Sequence, residues 1–500
     1  MTCNSKKGWY NMGFLTILEV SKKQYYIFKS NKLKENIGAS EIIRYVTEEL
    51  VNIKCKQYKG KILNTGGGQS IFYFETMEDS ENFAKDYSLK LLEDYPSMEF
   101  FIARIEYNPQ KDLVIEKIDE LHAKLEKKKA QRSQYSYILD FGITEKCNST
   151  RLPAVYFQDE DDERTYYSEE ANSKIKAFQK LSKNKEERKY ALDIIDLGVS
   201  KNEKSYIAIT HIDGNKMGQK IKKLNEKYKK RYTPDNIEKT NKEYLDELNK
   251  FSNDIKVAFE QAFQKVVNTV QQNMDYLKEN LNIKDNIFPI RKVILSGDDV
   301  CYMTDARIAL ECASIFLKEL EEHKIFGEKI TACAGVAMVK EKYPFFKTYE
   351  LSEELCRNAK STIADNANES RIDWHIVQGE YNNNLDEVRN TAYKTHDGKQ
   401  LSLRPLMVSE YSTVTNHYNN FKKDMAIIQS SRIPRSKIKG MLQEMKKGEK
   451  QVDTYIEINK LYSILGPHRI GAKTGFIDGQ CVLFDAIETM DYYIPLCEEE

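Results

Sequence analysis

The chain has 500 residues, 40% of them apolar and 31% charged, with lysine plus arginine equal to aspartate plus glutamate at 77 each. That length exceeds one hydrophobic core, so two to four domains are expected, and the composition is that of a globular rather than a disordered protein. Zero net charge excludes a global field that draws in nucleic acid, so any such binding is local or shared with partner subunits.

The first recognisable elements are the β-rich "FLTILEVSKKQYYIF" and the helical "GASEIIRYVTEELV". Two short apolar runs follow around a glycine turn in "KILNTGGGQSIFYFE", then the helical "SENFAKDYSLKLLEDY" and the strand "MEFFIARIEY". Residues 111–135 are rich in lysine and glutamate and predict an exposed helix, as do residues 168–195. Between them lie a β-like "CNSTRLPAVYF" and the acidic run "QDEDDER", which predicts a solvated loop because no rigid scaffold is evident around it.

The second half replays the order of the first. "SYIAITHIDGNKMGQKI" is strand, turn and helix start, and "FSNDIKVAFEQAFQKVVNTVQQNMDYL" is a long amphipathic helix. "KVILSGDDVCYMTD" is a hairpin, "RIALECASIFLKELEEH" a helix and "KITACAGVAMVK" a strand. Strand–helix–hairpin–helix–strand is the split βαβ pattern of a ferredoxin-like domain. The expected fold is therefore α+β. It comprises a first ferredoxin-like domain over 12–110, a helical linker over 111–200, a second such domain over 201–383 and a helical C-terminal domain over 384–500.

The repeats differ at the hairpin. The first turn is Gly66-Gly67-Gly68-Gln69, without a carboxylate; the second is Ser296-Gly297-Asp298-Asp299. The first strand of each copy ends in an acid, Glu19 in one and Asp213 in the other. Ferredoxin-like topology places the first strand beside the hairpin, so Asp213 is expected next to Asp298. Adjacent carboxylates at strand ends suit a pair of Mg²⁺ or Mn²⁺ ions, which take one or two carboxylates and complete their shell with water and phosphate oxygens. Gly214 lets backbone approach a phosphate, and the amides of Asn215, Lys216 and Met217 are expected to form an anion-binding nest before the helix. His211 is given no role, and Cys301 is expected in the core.

"HIDGNKMG", "LSGDDVCYM" and "ACAGVAMVKEKYPFFKTYELSEELCRNAK" resemble the palm domain of the large subunit of type III CRISPR effector complexes, a family with a nucleotide-cyclase-like palm and a GGDD motif, more distantly similar to GGDEF-type cyclases. "YYIFKSNKLKENIGAS" and "GGGQ" resemble the family's first, catalytically silent palm, and the likeness covers roughly residues 12–380. It implies a cytoplasmic nucleotidyltransferase that converts ATP into cyclic oligonucleotide second messengers in antiviral defence, releasing pyrophosphate. Guide RNA and other CRISPR-complex subunits would be its partners. Carried over residue by residue, Asp213, Asp298 and Asp299 are catalytic and hold two metal ions with the carbonyl of Ile212. Lys360 meets triphosphate, Ser296 and Gly297 form the nucleotide-facing turn, and Ser40 with Gly66, Gly67 and Gly68 contact a second nucleotide between the two palms. Ser296 replaces the first glycine of GGDD, and Asn215 stands where many members have aspartate.

Other features of the family are not expected within this chain. The lone His-Asp pair, His396–Asp397 in "THDGK", predicts an Asp-Gly turn rather than an HD nuclease, and only Cys147 stands where a four-cysteine zinc site often lies. "RIPRSKIK" (432–439) is a basic cluster suited either to RNA phosphates or to a solvated helix end. No run approaches the roughly 20 apolar residues of a membrane helix, and "MTCNSKKGWYNMG" lacks the apolar core of a secretion signal. A stand-alone cyclic dinucleotide synthase and a non-catalytic palm scaffold of a ribonucleoprotein remain as alternatives.

Overall fold

The computed structural model describes residues 12–132, 142–160, 163–198, 205–284, 287–379, 384–409, 415–430, 433–461, 475–477 and 479–497. Two compact units emerge: residues 1–188, 216–257 and 296–298 in one, and 189–215, 258–295 and 299–500 in the other.

In the first unit, β1 (Gly13–Val20) leads into α1 (Lys23–Phe28), α2 (Leu33–Arg44) and α3 (Leu50–Gln57). The hairpin β2 (Lys61–Gly66) and β3 (Gln69–Phe74), α4 (Met77–Asp94) and β4 (Phe100–Tyr107) complete the repeat. The sheet order is β2-β3-β1-β4, antiparallel throughout, which is the ferredoxin-like arrangement. Strand alternation sorts the side chains. Thr16, Phe72 and Phe74 face α4, where Phe83 sits 4.9 Å from the Phe72 ring and 5.3 Å from that of Phe74. Leu15, Ile17, Ile71, Ala103 and Ile105 point to the opposite side.

That second face corrects the expectation of an exposed linker. In α5 (Val114–Ala130), Val114, Ile118, Leu121 and Leu125 recur at three-to-four spacing and are buried against the sheet. The many lysines and glutamates occupy the other side of the same helix. The hairpin β5 (Tyr156–Glu160) and β6 (Glu163–Tyr167) contains the acidic run. Its tip, 161–162, lies outside the described residues, and Asp159 is bonded to Arg164 at 2.8 Å. In α6 (Glu169–Leu181), also expected exposed, Ala171, Lys174 and Phe178 are buried. The Lys174 ammonium donates to the Tyr26 carbonyl and to Glu170, both at 2.7 Å, which is what lets a lysine enter the interior. Gly38 makes room for this helix, because a Cβ there would lie 1.8 Å from the Lys174 carbonyl oxygen.

The second repeat opens with β7 (Tyr206–Gly214), followed in sequence by α7 (Met217–Arg231), the long α8 (Ile237–Gln272) and α9 (Met274–Asn280). Although α7 and the start of α8 fall inside the expected second domain, Leu224, Tyr228, Tyr244 and Leu248 join the core of Leu15, Ile17 and Leu121 in the first unit. Next come the hairpin β8 (Ile290–Ser296) and β9 (Asp299–Asp305), α10 (Ala306–Glu322), a short hairpin of β10 (Lys324–Ile325) and β11 (Glu328–Lys329), β12 (Ala332–Lys340), α11 (Phe345–Ser361) and β13 (Arg371–Ile376). The four strands β8-β9-β7-β12 repeat the order of the first sheet. They are extended by β13, parallel to β12, and then β14 (Leu406–Met407). One face is covered by α10 and the latter part of α8 through Phe259, Phe263, Tyr302 and Phe316, and the other by α11.

The C-terminal helices α12 (Leu385–Ala392), α13 (Tyr418–Ile428), α14 (Arg435–Lys447), α15 (Glu449–Ile458) and α16 (Phe484–Thr489) belong to this same unit. Arg404 fastens them to β13. Its buried guanidinium bonds Asp485 at 2.9 Å, Glu488 at 2.6 Å and the Trp374 carbonyl at 2.8 Å. "THDGK" is a turn, with Gly398 at φ 86°. In the basic cluster Arg432 lies outside the described residues, while Arg435 and Lys439 both pair with Asp491. Among the described residues no helix is long and apolar enough to cross a membrane.

Candidate functional site

The C-terminal end of β7 and the hairpin beside it bring the acids together. Antiparallel pairing sets Asp213 opposite Asp299, with His211 opposite Cys301. This corrects the expected neighbour of Asp213. Ser296 ends β8, Gly297 and Asp298 form the two-residue turn, and it is Asp299 that shares the sheet register with Asp213. Gly297 has φ 63°, a left-handed conformation that glycine adopts without strain. Asp298 has no positive φ and so tolerates a side chain there. Asp213 is 41% exposed at its side chain and Asp299 26%. Ile212, whose carbonyl is expected to meet metal, is buried two residues inside the strand end, between Ala334 and Val300.

A cation already stands at this carboxylate. Lys360 in the last turn of α11 donates from Nζ to Asp213 Oδ2 at 2.6 Å and to the Gly214 carbonyl at 2.8 Å. The close approach of α11 to the sheet makes that reach possible. A Cβ on Gly335 of β12 would lie 2.0 Å from the Ser352 carbonyl oxygen and 2.4 Å from the Cys356 nitrogen, so only glycine admits the helix at this distance. Cys356 also donates its thiol to the Cys333 carbonyl at 3.1 Å. None of Gly335, Cys333 or Cys356 stood out in the sequence as positioning groups, because each fits an ordinary apolar strand or helix pattern.

Beneath the acids, His211 Nδ1 lies 3.6 Å from Asp299 Oδ1, and its ring meets Tyr349 of α11 edge-on with centroids 5.6 Å apart. Burial, and secondarily the Asp299 charge, push both the Tyr349 hydroxyl and the Cys301 thiol upward, so both stay protonated. Cys301 is a core residue, as expected.

The turn after β7 differs in part from the expected nest. The Asn215 amide donates to the Thr331 carbonyl at 2.8 Å, and its side-chain Nδ2 donates to Thr331 Oγ1 at 3.2 Å and to the Glu369 carbonyl at 3.0 Å. Asn215 therefore anchors the turn and does not turn its amide toward an anion. Lys216 follows at φ 58°, and α7 starts at Met217, so the amides without a helical acceptor are those of the first turn of α7. The Met217 side chain is buried.

The first unit offers an internal control. Its register pairs Glu19 with Gln69, the positions equivalent to Asp213 and Asp299. Gln69 donates to Glu19 at 3.1 Å and Lys129 pairs with Glu19 at 2.6 Å, so an amide and an ammonium meet the strand-end acid. Gly67 and Gly68 both have positive φ, 59° and 82°, and the Lys23 ammonium bonds the Gly67 carbonyl. Gly66 ends β2, and Ser40 lies within α2.

The donor chemistry fits a hard divalent cation. Asp213 already binds a positive group together with a strand-end carbonyl, and Asp299 is its direct cross-strand neighbour. Among the described residues no three or more His, Cys, Asp or Glu side chains are gathered into a complete metal cage. Mg²⁺ and Mn²⁺ suit such an open set, since phosphate and water oxygens fill the remaining positions.

Fold and acidic hairpin together define the class: a duplicated palm whose hairpin turn carries acids in the second copy only. Residues 206–368 match the family model described as the second palm domain of Cas10/Cmr2. In fold the chain is similar to the Csm1–Csm4 cassette solved in complex with cA3, at TM-score 0.51 and 14% identity, covering 94% of this chain and 65% of that one. It is similar also to the cassette with cA4 (0.53, 12%, covering 98% and 71%) and to the apo cassette (0.53, 13%, covering 97% and 70%). The chain thus spans about two thirds of the length of these structures, and at such identities the likeness establishes the fold. No curated protein matches in sequence. By its second palm and its overall fold, the chain resembles the large palm subunit of type III CRISPR effectors.

Proposed function

We propose that this protein is a metal-dependent nucleotidyltransferase that joins ATP into cyclic oligoadenylates with release of pyrophosphate, in CRISPR-type antiviral defence. The observation that carries the reading is the cross-strand pair of Asp213 and Asp299 with Lys360 on the same carboxylate, inside a segment that matches a Cas10/Cmr2 second palm. The complexes of similar fold with cA3 and cA4 support the nature of the product, and those with Csm4 support a partner subunit.

Asp213, Asp298 and Asp299 would hold two Mg²⁺ or Mn²⁺ ions, aided by the Ile212 carbonyl. When bound, such ions neutralise triphosphate charge and lower the pKa of an attacking hydroxyl. The chain's own groups do the positioning. Lys360 exchanges the Asp213 carboxylate for a triphosphate oxygen, both being anionic oxygen acceptors. The first amides of α7, from Lys216 and Met217 onward, face the phosphates, and Gly214, Ser296 and Gly297 leave the nucleotide room at the turn. Asn215 acts through the turn that it anchors. Gly66, Gly67, Gly68 and Ser40 are assigned to a second nucleotide, and guide RNA to the assembled complex.

Pyrophosphate release from ATP with Mg²⁺ or Mn²⁺, compared between the wild-type protein and Asp213→Asn, tests this reading. Metal-dependent release that vanishes in the variant is expected. No release from the wild type under activating conditions, with partner subunits and guide RNA supplied, would make the palms a scaffold.

A further inference from the structure

The outer strand of the first sheet presents a second surface. β4 pairs with β1 on one side, and no strand lies beyond it among the described residues. Alternation along an antiparallel strand turns the backbone groups of Phe100, Ile102, Arg104 and Glu106 away from β1, since the Glu99 carbonyl is the one that meets Ser21. At about 3.3 Å per residue those positions expose roughly 20 Å of ladder.

Two of these outward carbonyls are covered by side chains rather than by backbone. Lys128 Nζ donates to the Ile102 carbonyl at 2.7 Å and Lys124 Nζ to the Arg104 carbonyl at 2.6 Å, both from α5. A cleft of about 620 Å³ runs along the edge, with those lysines on the α5 side and Met77, Ala84, Lys85 and Ser88 of α4 on the other. Met77 is 52% exposed. Burial lowers the Lys128 pKa, and the nearby Lys124 and Arg104 charges lower it further, as expected where cations crowd one cleft.

We propose that this cleft receives an extended segment of another protein as a fifth strand beside β4, its side chains alternating between carboxylates toward α5 and small apolar groups toward α4. The exchange conserves hydrogen bonds: each outward carbonyl gives up a lysine ammonium and accepts a backbone N–H, while the released ammonium meets an incoming carboxylate. Strand addition supplies affinity through the main chain and specificity through the alternate side chains. Charge selects the occupant, because Lys85, Lys124 and Lys128 line the cleft against Glu106, while Arg104 is already paired with Glu81 at 3.1 Å. An edge that is merely guarded by lysine against aggregation would bind no strand, and a basic patch for nucleic acid would ignore backbone pairing. Those two outcomes define the test.

A labelled peptide of alternating glutamate and valine, capped at both ends, is titrated into the full-length chain and followed by fluorescence anisotropy. Saturable binding is expected, together with slowed amide exchange at Ile102, Arg104 and Glu106. Lys124→Glu with Lys128→Glu should weaken it roughly tenfold or more, the equivalent of about 1.4 kcal/mol. Methylating alternate peptide nitrogens should weaken it comparably on the unaltered protein, which separates strand pairing from any effect of the lysine changes on folding. No binding, equal binding of a lysine–valine peptide, indifference to N-methylation, or displacement by an oligouridylate at equal affinity would each overturn the proposal.

Discussion

Converting Asp298 and Asp299 together to asparagine separates catalysis from stability. In the fold, Asp299 lies directly across from Asp213, and like charges so placed destabilise a strand pair by about 0.2–1 kcal/mol. Lys360 at 2.6 Å from Asp213 already offsets part of that repulsion. An opposing loss is the His211 contact to Asp299, which at 3.6 Å is longer than a hydrogen bond and contributes about 1 kcal/mol at most. The net change therefore stays within about 1 kcal/mol of zero, a shift in Tm of no more than about 4 °C for a unit of this size. Activity should behave differently. Losing the metal-binding acids removes several kcal/mol of transition-state stabilisation, so ATP turnover should fall more than roughly a hundredfold. Thermal melting and ATP consumption measured on one preparation give both quantities. Undiminished turnover would refute the site assignment. A Tm lowered by more than about 8 °C would instead make these carboxylates part of the framework, since that far exceeds the balance of contacts.

Three further outcomes follow from the same geometry. Lys360→Met removes the ammonium on Asp213 and Gly214 and should raise KM for ATP roughly tenfold or more, with Tm nearly unchanged because both partners are partly exposed; an unaltered KM in steady-state kinetics would contradict its phosphate role. Gly335→Ala places a methyl group 2.0 Å from the Ser352 carbonyl, and such overpacking costs about 1–3 kcal/mol. It should therefore lower Tm and, by displacing α11, weaken ATP use; a wild-type melt would show that the helix approach is not tight. Glu19→Gln should cost far less activity than Asp213→Asn, since Glu19 is already held by Lys129 and Gln69; equal losses in parallel ATP assays would mean that both palms bind metal.

The order of strands and helices was legible because it rests on local signals: period-two apolar runs, glycine turns in both hairpins and long three-to-four stripes. The contrast between Gln69 and Asp299 was legible too, since the two turns align residue for residue. Composition hid α5 and α6. Lysine and glutamate dominate both, while the five apolar residues that bury α5 are spread over twelve positions, and α6 buries a lysine by pairing it. Which acid faces Asp213 depends on turn length, and a shift of one residue exchanges Asp298 for Asp299. The anchoring of Asn215 to Thr331 and Glu369 joins residues 116 and 154 positions apart, beyond any local pattern. Lys360 entered through the family likeness alone, and its bond to Asp213 came with the fold. Gly335 looked like one more small residue in a strand until α11 was seen against it.

The most direct measurement is the product itself. The protein, with its partner subunits and guide RNA where these are needed for activation, is incubated with each nucleoside triphosphate and Mg²⁺ or Mn²⁺, and the products are resolved by mass spectrometry. Cyclic oligoadenylate and pyrophosphate from ATP, absent when Asp213, Asp298 and Asp299 are all converted to asparagine, is the predicted result. ATP recovered intact, or the same product from the triple variant, would contradict the assignment of catalysis to the second palm.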